Sequence, residues 1–203
     1  RPYQPPQPYG DPWFIDQTPP QQVTVAPFHL DRHEVTVAEY ALYLTHEGLT
    51  LGYHPNMPIN RSSDGYQPRE GMAEVAMHQV SWSEAKSYCR WAGKRLPTEA
   101  EWERIATGAS DRAYPWVEEG GPTCTRAAVF KDGSFCEDGL TSVTARPAGA
   151  TPEGIEGLIG NVSEWLEDPY QPYLDHHSGL ELLLPETGLR VIRGGSLYHS
   201  GAW

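Results

Sequence analysis

Residues 88–103 read YCRWAGKRLPTEAEWE, and this stretch decides the fold. Gly93 follows the end of one helical pattern, because a glycine there can take the left-handed conformation that stops a helix. Thr98 and Glu101 then form a capping box: the threonine hydroxyl accepts from the amide three residues on, while the glutamate reaches back to the cap. The stretch therefore predicts two short consecutive helices.

Two further capping boxes lie on the N-terminal side of this stretch. Ser81 with Glu84 begins the helix that ends before the glycine at 93. Thr36 with Glu39 begins another amphipathic helix, which ends near Gly48. The residues predicted to face inward along the three helices are Val37, Tyr40, Ala41 and Leu44, then Ala85, Tyr88, Cys89 and Ala92, then Trp102, Ile105 and Ala106.

The rest of the chain shows little regular periodicity. The alternating apolar residues between Val23 and Leu30 predict a strand or two. Residues 49–77 hold several prolines and glycines and are predicted to be loop, whereas short strands are predicted at 158–165 and 189–194. With Gly 20 and Pro 19 in 203 residues, the composition favours a loop-rich fold with few long helices.

The first 27 residues form a segment of different character. They carry eight prolines with glutamines and aromatics between them, a composition typical of an extended, polyproline II-like arm. We therefore predict an arm at 1–27 and one domain at 28–203, incomplete at its C-terminal end. The arm is either a tether without a binding role or docks on this domain or a partner; its candidate partner-binding residues are Tyr3, Tyr9, Trp13 and Phe14.

Charge and hydropathy exclude two classes of partner. The chain has 15 basic and 27 acidic residues, a formal charge of −12, so its surface should repel phosphate backbones and nucleic acid is not expected as a partner. No stretch approaches the roughly 18 consecutive apolar residues of a membrane span, and no transmembrane segment is predicted. The chain begins with neither an initiator methionine nor a signal peptide, which indicates a processed or incomplete chain.

The three cysteines fall into two environments. Cys89 lies within a predicted helix and is expected to be a small core residue. Cys124 and Cys136 are twelve residues apart in a region of irregular sequence, where they either form a disulfide or remain loop thiols in a reducing compartment. A bridge there, with the Pro-rich arm, favours an exported, periplasmic or cell-surface location.

Six sequence blocks, in order, resemble the formylglycine-generating-enzyme (FGE-sulfatase) or sulfatase-modifying-factor family. They are EVTVAEY at 34–40, VSWSEA at 80–85, the sixteen residues at 88–103, YPW at 114–116, GNVSEW at 160–165 and RVIRGGS at 190–196. The resemblance implies an irregular, loop-rich α+β fold related to C-type lectins, with two or three short helices and small antiparallel sheets. Structural roles are expected for Trp91, Arg95, Trp102, Asn161, Trp165 and Arg193, with Arg95 pairing with Glu101, Glu103 or the 161–164 turn.

The catalytic chemistry of the family is not carried over by the resemblance. Catalytic members hold copper(I) between two cysteines shortly after the Gly-Gly-Ser block, a soft-thiolate site suited to that ion. Here the first of those positions is His199, and the second falls beyond Trp203. The resemblance therefore implies no catalytic residue except the candidate His199, and copper is not expected.

Calcium is the one cofactor that the resemblance leaves as a candidate. One family site would draw on the carbonyls of Gly160 and Val162 and the carboxylate of Glu164, which are hard oxygen ligands. However, Gly157 stands where that site has an Asp or Asn, and a second family site lacks its Asn at 127–129. The alternative is that Glu164 bonds backbone groups or an arginine.

The favoured function is a non-catalytic binding or assembly module, an accessory subunit contacting a larger protein complex, membrane-associated or in the envelope. One alternative is a copper- or iron-dependent oxidase of the formylglycine-generating type that acts on a cysteine-containing protein. The other is a lectin-like ligand-binding domain. The histidines at 29, 33, 176 and 177 are interpreted as surface residues rather than iron ligands.

Overall fold

The computed structural model of the protein describes residues 22–48, 53–110, 112–117, 120–171 and 188–199. Within these ranges the chain forms three α-helices, two 3₁₀ turns and three antiparallel two-stranded sheets. This confirms the predicted loop-rich α+β fold. The helices are α1 (Val37–Glu47), α2 (Trp82–Trp91) and α3 (Glu99–Thr107); the paired strands are β1 (Ile59–Ser62) with β2 (Gly65–Pro68), β3 (Phe130–Lys131) with β4 (Ser134–Phe135), and β5 (Glu164–Pro169) with β6 (Arg190–Arg193).

All three predicted helices begin at their capping boxes. The hydroxyls of Thr36, Ser81 and Thr98 each accept from the amide three residues on, and the glutamate at that position bonds back to the cap. Each box satisfies two backbone donors that a helix start leaves without partners. Helix α1 ends at Gly48, whose φ of 62° is left-handed, so the glycine stop was also predicted correctly.

Two of the strand and loop predictions are wrong. Residues 22–35 form no strand in the structure, because none of the described backbone groups of 22–31 finds a hydrogen-bonded neighbour. Residues 53–77, predicted to be loop, contain the β1–β2 hairpin. That hairpin packs on α1, where the Tyr66 amide donates to Thr45 Oγ1 at 2.8 Å. This contact with the helix stabilises the two-stranded hairpin.

The strand predicted at 158–165 is displaced towards the C-terminus. Strand β5 begins only at Glu164, because Gly160 and Asn161 have φ of 79° and 55° and turn the chain before it. The prediction at 189–194 is confirmed, with β6 covering Arg190–Arg193. The β5–β6 ladder pairs Glu164 with Arg193, which places the end of the turn beside the end of β6.

The core consists of three hydrophobic clusters. The first joins α1, α2 and the β1–β2 hairpin around Tyr40, Leu44 and Met57; the second joins α3 to β5 and β6 around Trp102 and Leu166. The third lies among the loops around Trp116, Val129 and Ile159. The inward residues of α1 are buried as predicted, but Ala85, Cys89, Ala92 and Ile105 are only half-buried.

For Ala85 and Cys89 the reason for that partial burial is a cavity beside α2. Ala85, Tyr88 and Cys89 line it, so one side of their helix packs against open space. The cavity has a volume of about 480 Å³, which is in the range of small-ligand sites.

Candidate functional site

The turn at 157–164 fixes the geometry of the candidate site. The amide of Gly160 donates to the carbonyl of Gly194 at 2.9 Å, and the amide of Asn161 donates to the carbonyl of Ala128 at 2.8 Å. A side chain at Gly160 would collide with that same Ala128 carbonyl, which explains the glycine. The turn therefore holds three distant chain segments together.

The side chain of Asn161 extends this network to Glu34. Its Oδ1 accepts from the Thr141 amide at 3.0 Å, and its Nδ2 donates to Glu34 Oε1 at 3.0 Å. Asn161 is buried, so these bonds are made out of water, where an unpaired amide would cost about 1–3 kcal/mol. Asn161 thus positions a carboxylate from a segment far away in sequence.

A second carboxylate, that of Glu164, is held by α3. Trp102, which is 1% exposed, donates its indole N–H to Glu164 Oε2. Burial raises the pKa of Glu164 to about 7, although the bond from Trp102 lowers it in part. The sequence analysis left open a bond from Glu164 to backbone groups or to an arginine, whereas in the structure its partner is the indole of Trp102.

Burial also raises the pKa of Glu34, to about 8, and repulsion from Glu164 adds to the shift. The bond from Asn161 acts against it, while Glu156 contributes a smaller repulsion. One oxygen of Glu34 and one of Glu156 are removed from water and have no hydrogen-bond donor. Three carboxylates, those of Glu34, Glu156 and Glu164, therefore lie along the wall of the cavity.

Glu101, which lines the same cavity, has the opposite environment. Arg95 donates to both of its oxygens, at 2.7 and 2.6 Å, and the Thr98 amide donates to it at 2.8 Å. The hydrogen bonds from Arg95 lower the pKa of Glu101 to about 2. Of the partners predicted for Arg95, the structure selects Glu101, its partner in this fork.

The other residues for which we predicted structural roles make long-range hydrogen bonds. The indole of Trp165 donates to the Val80 carbonyl at 2.9 Å, and that of Trp91 to His46 Nδ1 at 3.1 Å. Arg193, on β6, pairs with Glu99 at the start of α3. The Trp165 and Arg193 contacts join the segments at the starts of α2 and α3 to the β5–β6 sheet, and the Trp91 contact joins α2 to α1.

His199, which we predicted to stand at the position of the first family cysteine, is hydrogen-bonded within its own loop. Its Nδ1 lies 3.0 Å from the Ser196 amide, which donates to it, and 2.9 Å from Ser196 Oγ. The cysteines of the chain are elsewhere: Cys124 and Cys136 are joined by a disulfide, and Cys89 is a half-buried thiol whose pKa burial raises to about 11. No described residues bring a thiolate to the 194–199 loop.

The residues present do not fit the calcium site that the resemblance implies. The space that a ligand side chain at Gly157 would enter is taken by the carboxylate of Glu34, and Glu164 is bonded to Trp102. Across the ranges that the structure covers, no three His, Cys, Asp or Glu side chains are placed to hold a metal ion together.

Several predicted residues lie outside the described ranges, namely the arm aromatics Tyr3, Tyr9, Trp13 and Phe14 and the histidines at 176 and 177. His29 and His33, which we interpreted as surface residues, line the cavity. Sequence reasoning gave Glu34 and Glu156 no role; the signal available for Glu34 was its place at the start of the EVTVAEY block.

The comparison with protein families identifies the fold. The profile of the sulfatase-modifying factor enzyme 1-like domain matches residues 7–202, which includes most of the predicted arm. The chain belongs to the sulfatase-modifying factor family. Within the described ranges of this family member, no helix has the length and apolarity required to cross a bilayer.

The relatives of this family member include catalytic and inactive proteins by name. The formylglycine-generating enzyme of Streptomyces coelicolor is 31% identical over 230 residues, covering 93% of this chain and 73% of its own length. The inactive C-alpha-formylglycine-generating enzyme 2 of Bos taurus is 37% identical over 135 residues, covering 63% of this chain. The match spans only 40% of the bovine protein. The structure of PvdO from Pseudomonas aeruginosa shares the fold, with a TM-score of 0.57 at 24% identity over 84% of this chain and 69% of that one.

Proposed function

We propose that this chain is a non-catalytic member of the family that binds another protein, as an accessory subunit of a larger assembly. The observation that carries the proposal is the loop that follows β6. Where catalytic members place a copper-binding cysteine, this chain has His199, and its ring nitrogen is bonded to Ser196. A relative named as inactive, in Bos taurus, supports the proposal.

An exposed aromatic cluster beside that loop supports a binding role. Phe135 on β4 is 47% exposed and Tyr198 is 73% exposed, and their rings lie 5.6 Å apart. Phe130 on β3 packs against Phe135 at 5.0 Å. Exposed aromatic clusters are typical of surfaces that contact another protein, because rigid rings bury much area at little entropic cost.

The non-catalytic half of the proposal is tested by copper binding and turnover. We expect no stoichiometric copper(I) in an anaerobic competition titration against a coloured chelator, and no oxygen-dependent loss of thiol from a cysteine-containing peptide. The Streptomyces coelicolor enzyme is the positive control. The Cys89→Ser variant separates adventitious copper on the free thiol from a built site. One copper per chain in that variant, together with turnover of the peptide, contradicts the proposal and favours the oxidase alternative.

The binding half is tested by crosslinking in the native cells. We expect a protein that crosslinks to the wild-type chain and is lost in both Phe135→Ser and Tyr198→Ser. Leu42→Ser is the matched control, since Leu42 is 62% exposed but lies on α1. A chain that stays monomeric and crosslinks to nothing contradicts the proposal. Specific binding on a sugar array by a chain without a protein partner would favour the lectin-like alternative.

We also propose an exported location, in the periplasm or at the cell surface. The disulfide between Cys124 and Cys136 supports it, since such bonds persist in oxidising compartments and are rare in the cytosol. Mass spectrometry of alkylated protein from the native host, with and without reductant, tests this proposal. Free thiols at both positions in the protein as isolated from cells would contradict it.

A further inference from the structure

The charges that line the cavity do not balance. Its two described cations are already engaged: Lys94 bonds both oxygens of Asp31 at 2.8 Å, and Arg95 forms the fork to Glu101. Glu34, Glu156 and Glu164 form no ion pair with any residue in the described ranges. One wall of the cavity therefore holds three carboxyl groups that have no cationic partner among the described residues.

The uncompensated charge has a measurable physical cost. The Glu34 and Glu156 oxygens that lack donors are withdrawn from water, where an unsatisfied charged group costs more than a neutral one. Burial favours the protonated form of both groups, raising the pKa of Glu34 to about 8 and that of Glu164 to about 7, and both shifts express the same desolvation cost. A cation at this wall would remove it, so the site favours a positively charged guest.

The remaining walls indicate which kind of cation fits. They are mostly apolar and include the aromatic rings of Tyr88, Trp102 and Trp165. A divalent metal ion keeps its hydration or demands several oxygen ligands, and no trio of acidic, histidine or cysteine side chains is arranged for one among the described residues. A guanidinium is weakly hydrated, forks to carboxylates and stacks on aromatic faces, so it suits these walls better.

Residues 22–31, beside the cavity, have backbone groups with which a bound ligand could form hydrogen bonds. They belong to no helix or strand and carry the apolar residues Val23, Val25, Phe28 and Leu30, and none of their described backbone groups bonds to another described backbone group. Phe28 and Leu30 also line the cavity. A segment with free backbone donors and acceptors can pair with an extended peptide as a β-strand, and residues 22–31 have such groups within the described part of the chain.

From these observations we propose that the cavity binds an extended segment of another polypeptide, which pairs with residues 22–31 and places an arginine against Glu34 and Glu164. The proposal rests on the proposed function, since it names the chemistry of the partner. It requires a segment in which apolar residues flank the arginine, because apolar walls surround the carboxylates. The aromatic cluster at Phe135 and Tyr198 is a separate contact.

The test uses an acetylated and amidated peptide of about seven residues that alternates valine and threonine around a central arginine. Binding to the full chain is measured by calorimetry and by tryptophan fluorescence, since two indoles line the cavity. We expect one peptide to bind per chain, about tenfold more tightly than the same peptide with citrulline at its centre, which keeps the shape but not the charge. A lysine peptide is expected to bind with intermediate affinity, since it cannot form the fork.

Three charge-removing variants test the named residues. Glu34→Gln and Glu164→Gln are each expected to weaken the arginine peptide about fivefold or more and to leave the citrulline peptide unchanged. Glu153→Gln is the matched control, because Glu153 is exposed on the same loop as the cavity residue Glu156. Circular dichroism verifies folding, and the citrulline peptide provides a second measure that survives a loss of stability.

Equal affinity for the arginine and citrulline peptides, or no saturable binding up to about 1 mM, overturns the proposal. Stoichiometric binding of Ca²⁺ that is lost in Glu34→Gln and excludes the peptide also overturns it, and assigns the carboxylates to a metal. These outcomes leave the copper and crosslinking experiments untouched. Failure of the cavity proposal is therefore distinguishable from failure of the proposed function.

Discussion

Glu101 and Glu34 line the same cavity but lie in opposite electrostatic environments. Glu101 receives two bonds from Arg95, and its pKa falls to about 2. Burial raises the pKa of Glu34 to about 8 and repulsion from Glu164 adds to the shift, since its bond from the neutral Asn161 offsets them only in part. Enclosure alone therefore does not decide the charge state of a carboxylate in this cavity; the presence of a cationic partner does.

The two regions also differ in how the chain builds them. Glu101 is six residues from Arg95 and three from Thr98, so a single helix start assembles its partners. Glu34 is 127 residues from Asn161, and its neighbours come together only when the whole domain is folded. The surroundings of Glu101, which we call the paired region, are therefore formed by residues close in sequence. The surroundings of Glu34, the unpaired region, depend on tertiary structure.

The largest effect on stability is expected when the ion pair between Glu101 and Arg95 is removed. Glu101→Ala removes the ion pair and the capping box together, and we expect the free energy of unfolding to fall by about 2–3 kcal/mol. Urea denaturation measures it. Glu103→Ala, an exposed position on the same helix, is the control and should change stability by less than about 0.5 kcal/mol. Equal losses in both variants would show that the fork stabilises nothing.

A smaller effect of opposite sign is expected in the unpaired region. The pKa of Glu34 is raised in the folded protein, so its contribution to stability is fully present below pH 4.5 and is lost as the pH rises through about 8. Glu34→Gln should therefore be more stable than wild type at pH 9, by roughly 1–2 kcal/mol, and similar to it near pH 4. Unfolding measured across this pH range, without peptide, checks the sign.

Glu101 should show the reverse pH dependence. Its pKa is lowered, so its contribution is present above pH 4.5 and is lost as the pH falls through about 2. Glu101→Gln should flatten the acid side of the stability profile, and Glu34→Gln the alkaline side. If Glu34→Gln instead destabilises the chain at pH 9, the carboxylate already has a cationic partner and the comparison fails.

The smallest effect on stability is expected at an exposed ion pair, which can be compared with the pair of Arg95 and Glu101. Lys94 and Asp31 are each about half exposed, at 48% and 49%, so their attraction is screened by water and salt. Lys94→Gln should change the free energy of unfolding by less than about 0.5 kcal/mol. Arg95→Gln, at the adjacent position, should cost clearly more, because it leaves the buried Glu101 without its partner. Similar losses in the two variants would indicate that burial of Glu101 has no energetic role.

The parts of the fold that short sequence patterns encode were predictable. The three capping boxes, the glycine stops and the inward face of α1 each follow from residues within one or two turns, and the structure has them all. The assignment of His199 to the position of the family cysteine rests on its spacing after the Gly-Gly-Ser block and stays a prediction.

The remaining features depended on contacts that no local pattern reveals. The alternation at 22–31 predicted a strand, but a strand also requires a neighbour, which the described residues do not supply. The β1–β2 hairpin was missed although Asp64-Gly65 is a turn signal, because its prolines suggested loop. Glu34 and Glu156 were missed because the residues around them in the cavity are distant from them in sequence.

Gly157 has a consequence for how this chain can change. Its φ of 80° and the carboxylate of Glu34 against it leave no room for a larger residue. An asparagine introduced at 157 alone would meet Glu34 before it could reach any ion. A side chain at position 157 therefore requires the carboxylate of Glu34 to move, so we expect substitutions at these two positions to be energetically coupled.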